Sequence, residues 1–187
     1  MTTYGELTPE EALERLADFQ AIDVRGAHEF EGPLGRIAGA RLIPLAALPE
    51  RASEIPRGQP LLLICRSGAR SARACAQLGE LGLGPTFNLI GGMIAWNRAQ
   101  LPVERTSPAS PLALLESALA WLAQVTQQAP DAARAKLLAE LGQPPTALAD
   151  PTRERVARAL DAIERLAGAQ PDLELSLAAF RGALAGL

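Results

Sequence analysis

The sequence predicts an α/β half followed by an all-α half, and three observations predict it. Four apolar residues, Leu61 to Ile64, run into a polar loop, Cys65-Arg66-Ser67-Gly68-Ala69-Arg70-Ser71, and a helix-like stretch from Ala72 to Leu81 follows. That is the pattern of a buried strand feeding a helix through a tight turn. Short apolar runs at Ala21 to Val24 and Thr86 to Ile90 supply further strands, with helical stretches between them. Beyond Thr106-Ser107-Pro108-Ala109-Ser110-Pro111, a small, polar, proline-rich segment, the strand signal vanishes and leucines recur at helical spacing. The boundary is therefore expected there, with domains at 1–106 and 107–187.

Taken in order, Thr8-Pro9-Glu10-Glu11 has the spacing of a capping box and opens a helix through about Asp18, with Leu13, Leu16 and Ala17 inward. Ala21 to Val24 is a buried strand. Asp23 at its end reads as a structural acceptor that pins nearby backbone and Arg25, in preference to a catalytic carboxylate. His28 and Glu29 fall in the next loop and read as solvated surface. Residues 32 to 40 form a glycine-rich loop, Arg41 to Pro44 a short strand, and Leu45 to Ser53 a broken helix restarted at Pro49. Arg57 to Pro60 turns the chain into the central strand. After the loop, Ser71 is expected to cap the helix that carries Ala72, Cys75, Ala76 and Leu78. Cys75 lies more than a turn inside it and reads as a small core residue, not a resolving thiol. Gly82 and Gly84 end this helix. Gly91-Gly92 turns Thr86 to Ile90 into a helix over Met93 to Arg98, with Trp96 in the core.

In the second half, Leu112, Leu115, Leu119 and Leu122 form one stripe, and Leu114, Ala118, Trp121 and Val125 an adjoining one. Asp131 to Leu141 and Thr152 to Leu166 are further helices. Leu173, Leu177, Phe180 and Leu184 mark a fourth, and Gln143 to Asp150 is a loop. The expectation is a bundle of about four helices that serves as a structural domain or forms a homodimer.

Bulk composition narrows the function. With 187 residues and 48% apolar content, the chain can hold one large core or two small ones. A net charge of -3 gives no reason to expect nucleic acid or an anionic membrane as partner. No run approaches the ~20 apolar residues of a spanning helix, and Met1 to Leu7 lacks the features of a secretory leader. Two cysteines without metal-type spacing and a single histidine argue against a metal, and nothing in the sequence calls for a cofactor. A reducing cytoplasm is the expected setting, which suits an unpaired Cys65.

Cys65 carries the chemistry. A thiol reacts as its anion, and here the helix start, the loop amides and the cations Arg66 and Arg70 all favour an anion. Gly68 lets the loop curl so that successive N–H groups form a nest. A buried, inert cysteine is the alternative. Two arginines and a glycine within five residues argue against an apolar surrounding.

Cys65 to Ser71 resembles the active-site loop of the rhodanese sulfurtransferases, and the similarity extends over about residues 1 to 106. Ile22-Asp23-Val24-Arg25, Glu29-Phe30, Gly35-Arg36-Ile37-Ala38-Gly39-Ala40 and Ile43-Pro44-Leu45 look like the family's first half. Asn88-Leu89-Ile90-Gly91-Gly92, Ala95-Trp96 and Leu101-Pro102-Val103 look like its ending. Arg36 stands where the family more often has His, and Gly32-Pro33-Leu34-Gly35 looks like a small insertion. The resemblance implies a rhodanese-like open parallel sheet flanked by helices. It implies that Cys65 takes a sulfane sulfur from an anionic donor such as thiosulfate, as a persulfide, and passes it to cyanide or a thiol. Substrate-binding would fall to Arg66, Ser67, Gly68, Ala69 and Arg70, with Asp23, Arg25 and Ser71 in support. A sulfur-carrier protein is a further candidate partner, with the helical half as a docking module. Two other functions compete. A Cys-dependent phosphatase or arsenate reductase would need five residues between Cys and Arg, and only four separate Cys65 from Arg70. A non-catalytic rhodanese-like binding module would have no need of Cys65 and its basic loop.

Overall fold

Leu61–Ile64 is buried on both sides, all four residues at 0% exposure, and a sheet is assembled around it. The strands are β1 (Gly5–Leu7), β2 (Gln20–Asp23), β3 (Arg41–Leu42), β4 (Leu61–Ile64) and β5 (Thr86–Leu89). Every pairing is parallel, and the order is β1-β5-β4-β2-β3. A parallel strand covered on both faces reads as an unbroken apolar run, which is why Leu61 to Ile64 does not alternate. Asp23 lies opposite Ile64, so β2 and β4 end together. The chain leaves β2 towards β3 and β4 towards β5, so these two ends flank the point where the strand order reverses, a common place for a ligand in an open α/β sheet.

The computed structural model describes residues 4–106, 108, 110–142, 151–170 and 172–187. The chain divides into two compact units, Met1–Arg105 and Thr106–Leu187. The loop expected at Gln143 to Asp150, and Ser107 and Ala109 of the expected linker, lie outside the described residues.

Helices cover the sheet: α1 (Pro9–Glu14), α2 (Ala27–Phe30), α3 (Leu48–Arg51), α4 (Ala69–Glu80) and α5 (Gly92–Arg98). The capping box forms, with Glu11 N–H donating to Thr8 Oγ1 at 3.3 Å and Thr8 N–H to Glu11 Oε2 at 2.9 Å. The helix is shorter than its pattern suggested. It stops at Glu14, tightens into a 3-10 turn over Leu16–Asp18, buries Ala12 and leaves Ala17 exposed. Leu45 to Glu54 breaks into two 3-10 turns around α3. One face of the sheet packs Ile22, Val24, Leu61, Leu63 and Cys65 against Ala74, Cys75 and Leu78 of α4. Trp96 is fully buried and donates its indole N–H to Pro102 O at 2.9 Å.

The second unit holds α6 (Pro111–Val125), α7 (Pro130–Leu141), α8 (Arg153–Ala167) and α9 (Leu173–Gly186). Ser110 and Thr152 cap α6 and α8 through their hydroxyls. Both stripes of α6 are needed because it packs against α7, α8 and α9 at once; Leu114, Leu115, Leu119, Trp121 and Leu122 join Leu137, Leu160, Ile163 and Phe180 in one core. Leu112 is an exception and sits exposed in the first turn. Trp121 meets the edge of Phe180, with ring centres 6.2 Å apart. No described helix is long and apolar enough to cross a membrane.

Candidate active site

The chain leaves β4 through Cys65 and begins α4 four residues later, at Ala69. Gly68 makes that turn. Its φ is 96°, and a Cβ there would lie 3.1 Å from Gly91 N, so the position needs glycine for conformation and for space. The loop is clamped from α5: Met93 N–H donates to Cys65 O at 2.9 Å and Ile94 N–H to Arg66 O at 3.1 Å. Two N–H groups that a helix start leaves unpaired are thus satisfied by the loop's carbonyls. Gly92 permits the approach, since a Cβ there would stand 2.3 Å from Cys65 O.

Two groups able to donate lie against the sulfur. Gly68 N–H lies 3.1 Å from Cys65 Sγ, and Ser71 Oγ 3.2 Å. The N-terminus of α4 adds the positive end of its dipole. Ser71 does not cap the helix as its sequence position suggested. Gly68 is the N-cap, and Ser71 sits in the first turn, fully buried, with its hydroxyl over the thiol. Cys65 is itself at 0% exposure, while its loop neighbours Ser67 and Ala69 are exposed and Arg66 is half-buried. Any reagent must therefore pass the loop's rim to reach the sulfur.

The two candidate cations differ. Arg70 places its fork on Glu29, with Nη1 donating to Oε2 at 2.6 Å and Nη2 to Oε1 at 2.7 Å. This bond raises the guanidinium above its ordinary value, with smaller contributions from Cys65 and Asp23. Arg70 thus meets a carboxylate where the sequence suggested an incoming donor, and it acts on Cys65 as a nearby positive charge. Glu29 is not the solvated surface residue of a loop: it is buried on α2, and its carboxylate also accepts Gly26 N–H at 3.3 Å. His28 beside it is exposed.

Asp23 and Arg25 form a second, fully buried pair. Arg25 donates to Asp23 from Nε at 2.9 and 3.0 Å and from Nη2 at 2.7 Å, and its remaining donors reach Glu29 O at 3.0 Å and Gly35 O at 2.7 Å. The loop that resembles an insertion therefore supplies Arg25 with an acceptor. Asp23, Arg25, Glu29 and Arg70 make one connected chain from the end of β2 to the start of α4. Removing one member of the fully buried Asp23–Arg25 pair strands its partner at roughly 3–5 kcal/mol. Arg36 bonds Glu104 at 3.3 Å and closes a short bridge to it through the backbone.

Cys75 is unlike Cys65. Burial pushes its thiol up to about 12, which leaves it protonated and inert near neutrality. Sequence reasoning missed three side chains: Glu29, and the Glu6–Asn88 pair that adjoins Ser71. Asn88 accepts the Ser71 hydroxyl at 2.7 Å and donates to Glu6 Oε1 at 3.4 Å. Only the spacing Gly26-x-x-Glu29 hinted at a local bond. No cluster of described His, Cys, Asp or Glu could hold a metal.

A family model, the rhodanese-like domain, matches residues 8–99. A sulfurtransferase of Allochromatium vinosum is 42% identical over 102 residues, covering 53% of this chain and 94% of its own. The chain belongs to the rhodanese-like family. A thiosulfate sulfurtransferase of Actinobacillus succinogenes, GlpE, is 30% identical over 111 residues, covering 58% of this chain and 98% of the relative. Among solved structures, a rhodanese-related protein from Thermoplasma volcanium superposes with a TM-score of 0.50 at 28% identity, over 55% of this chain and 100% of that one. The rhodanese-like match ends before α6, and α6 to α9 stand outside it.

Proposed function

We propose that the protein is a sulfurtransferase whose Cys65 carries a sulfane sulfur as a persulfide. The observation that carries this reading is what meets Cys65 Sγ beside the start of α4: the Gly68 N–H, aimed at it from 3.1 Å, and the Ser71 hydroxyl, 3.2 Å away and able to turn its proton to a sulfur anion. Both can serve a sulfur anion, where an inert core cysteine would find neither. In the first step the Cys65 thiolate attacks the outer sulfur of a donor such as thiosulfate. A sulfur–sulfur bond forms at Cys65, the donor's own bond breaks, and sulfite leaves with the electron pair. In the second step cyanide or a thiolate attacks the outer persulfide sulfur, and Cys65 departs as thiolate. This is covalent, double-displacement catalysis, in which the Gly68 N–H, the other loop amides of Arg66 to Arg70 and the Ser71 hydroxyl would hold the charge that develops. Asp23 and Arg25 hold the strand end, and Glu29 holds Arg70. Residues 1–106 would carry this chemistry as one domain. A reducing cytoplasm is the proposed setting, and residues 107–187 would serve as a helical module for a sulfur-carrier acceptor or a second copy.

The test is mass spectrometry of the full chain after incubation with thiosulfate, followed by cyanide. Cys65 should gain one sulfur atom, lose it to cyanide as thiocyanate, and Cys65→Ser should do neither. Cys75→Ser should keep most of the activity. A chain that takes up no sulfur from thiosulfate, polysulfide or a protein persulfide would refute the proposal and leave a binding module.

A further inference from the structure

The Ser71 hydroxyl has one proton and three acceptors within reach. Asn88 Oδ1 lies at 2.7 Å, Gly68 O at 3.1 Å and Cys65 Sγ at 3.2 Å. Where that proton goes decides whether Cys65 is favoured as a thiol or as an anion, because an anion needs it and a thiol does not.

Glu6 settles the matter in the resting arrangement. A carboxylate only accepts, so the Asn88 amide nitrogen turns to Glu6 Oε1, at 3.4 Å, and its oxygen is left facing Ser71. The shortest of the three contacts then takes the Ser71 proton. Ser71 offers Cys65 a lone pair, into which the thiol donates. The bonds run in one direction: Cys65 S–H to Ser71 Oγ, Ser71 O–H to Asn88 Oδ1, Asn88 N–H to Glu6. Sheet register brings the parts together. Glu6 lies opposite Asn88 across β1 and β5, and Asn88 opposite Leu63 across β5 and β4, two residues before Cys65.

An anionic Cys65, as thiolate or as persulfide, reverses the chain. Ser71 must give its proton to sulfur. Asn88 Oδ1, buried at 4% residue exposure, then loses its donor unless the amide turns over and gives Nδ2–H to Ser71. A turned amide presents oxygen to Glu6, which is exposed and able to swing into water. The geometry points to Asn88 and Glu6 as positioning residues that set the balance between thiol and anion at Cys65, Glu6 by orienting the amide and the amide by directing the Ser71 proton. The inference rests on Cys65 being the working thiol. Of the other ionisable groups, Arg70 and Cys75 from α4 interact with that thiol and Arg66 follows it in the loop; Glu29 from α2 and Asp23 at the end of β2 act on Arg70, and α5 contributes backbone N–H groups to the loop.

The experiment is the pH dependence of iodoacetamide alkylation of the full chain, with the modified cysteine located by peptide mass, in wild type, Glu6→Gln, Ser71→Ala and the double variant. A glutamine in place of Glu6 can donate as well as accept, so both amide orientations are served and the anion gains. The alkylation midpoint should move to lower pH by about half a unit, roughly a threefold faster reaction below the midpoint. In the Ser71→Ala background the same change should do nothing, because the chain is cut. If Ser71→Ala does not fold, Asn88→Ala cuts the chain one link further out and takes its place. An unchanged midpoint in Glu6→Gln overturns the inference. So does an equal shift with and without Ser71, which would mean that the Glu6 charge acts through space. Alkylation reads the thiol without any sulfur transfer. A chain that fails to take up sulfur yet shows the Glu6 effect therefore counts against the proposed function alone.

Discussion

Arg70→Ala separates two roles for the second cation of the loop. If Arg70 holds the loop to Glu29, its loss strands a carboxylate whose side chain is only 6% exposed. Glu29 would lose both fork bonds, at 2.6 and 2.7 Å, and keep Gly26 N–H at 3.3 Å. Stranding a fully buried charge costs roughly 3–5 kcal/mol. The Arg70 side chain is 34% exposed, so water already screens the pair and can enter behind the deletion. The expected loss is therefore about 2 kcal/mol, a fall in Tm on the order of 10 °C for a unit of this size. Glu29→Ala leaves a cation that water can solvate and should cost about 1 kcal/mol. The double variant strands nothing, so its cost should fall short of the sum by about 1 kcal/mol. The assay is urea unfolding followed by Trp96 fluorescence in a Trp121→Phe background. The Trp121 indole N–H has no hydrogen-bond partner among the described residues, so that background removes no bond. The KM for thiosulfate should rise less than about tenfold in Arg70→Ala, since losing a direct charged hydrogen bond to the donor would cost roughly 1.5–3 kcal/mol. An unchanged unfolding midpoint together with a KM raised tenfold or more would refute the reasoning and make Arg70 a donor-binding residue.

Two further outcomes follow from the packing. Cys75, pushed up from 9.0 to about 12, keeps its proton in the fold after the unfolded chain has lost it. Its contribution is fully present below about pH 9 and declines towards pH 12, by up to ~1.4 kcal/mol per pH unit; Cys75→Ser should flatten that alkaline limb in unfolding titrations. A chain ending at Thr106 should fold and form the Cys65 persulfide, because it keeps Pro102 O on Trp96, the Arg36–Glu104 bridge and Arg105 on Pro33 O and Asn97. A chain ending at Gln100 loses all three and should unfold at lower urea; equal midpoints for the two would show that residues 101–105 are dispensable.

Whatever depends on neighbours along the chain was legible in the order of residues alone. The apolar run of β4, the loop opened by Cys65, the capping box at Thr8 and the leucine stripes of α6 are all written in local spacing, and local spacing sets burial periodicity and caps. It did not show β1, whose three residues carry no pattern and become a strand only because β5 offers its edge. It misplaced the helix start, since Ser71 resembles a cap until the positive φ of Gly68 is known. The decisive relations at the site join residues far apart: Glu29 with Arg70, Glu6 with Asn88, Asn88 with Ser71 and Gly92 with Cys65. A buried charge takes whatever opposite charge the fold brings near, and a buried hydroxyl takes the nearest acceptor. Sheet register and loop clamping choose those partners, and neither is visible until the strands have paired.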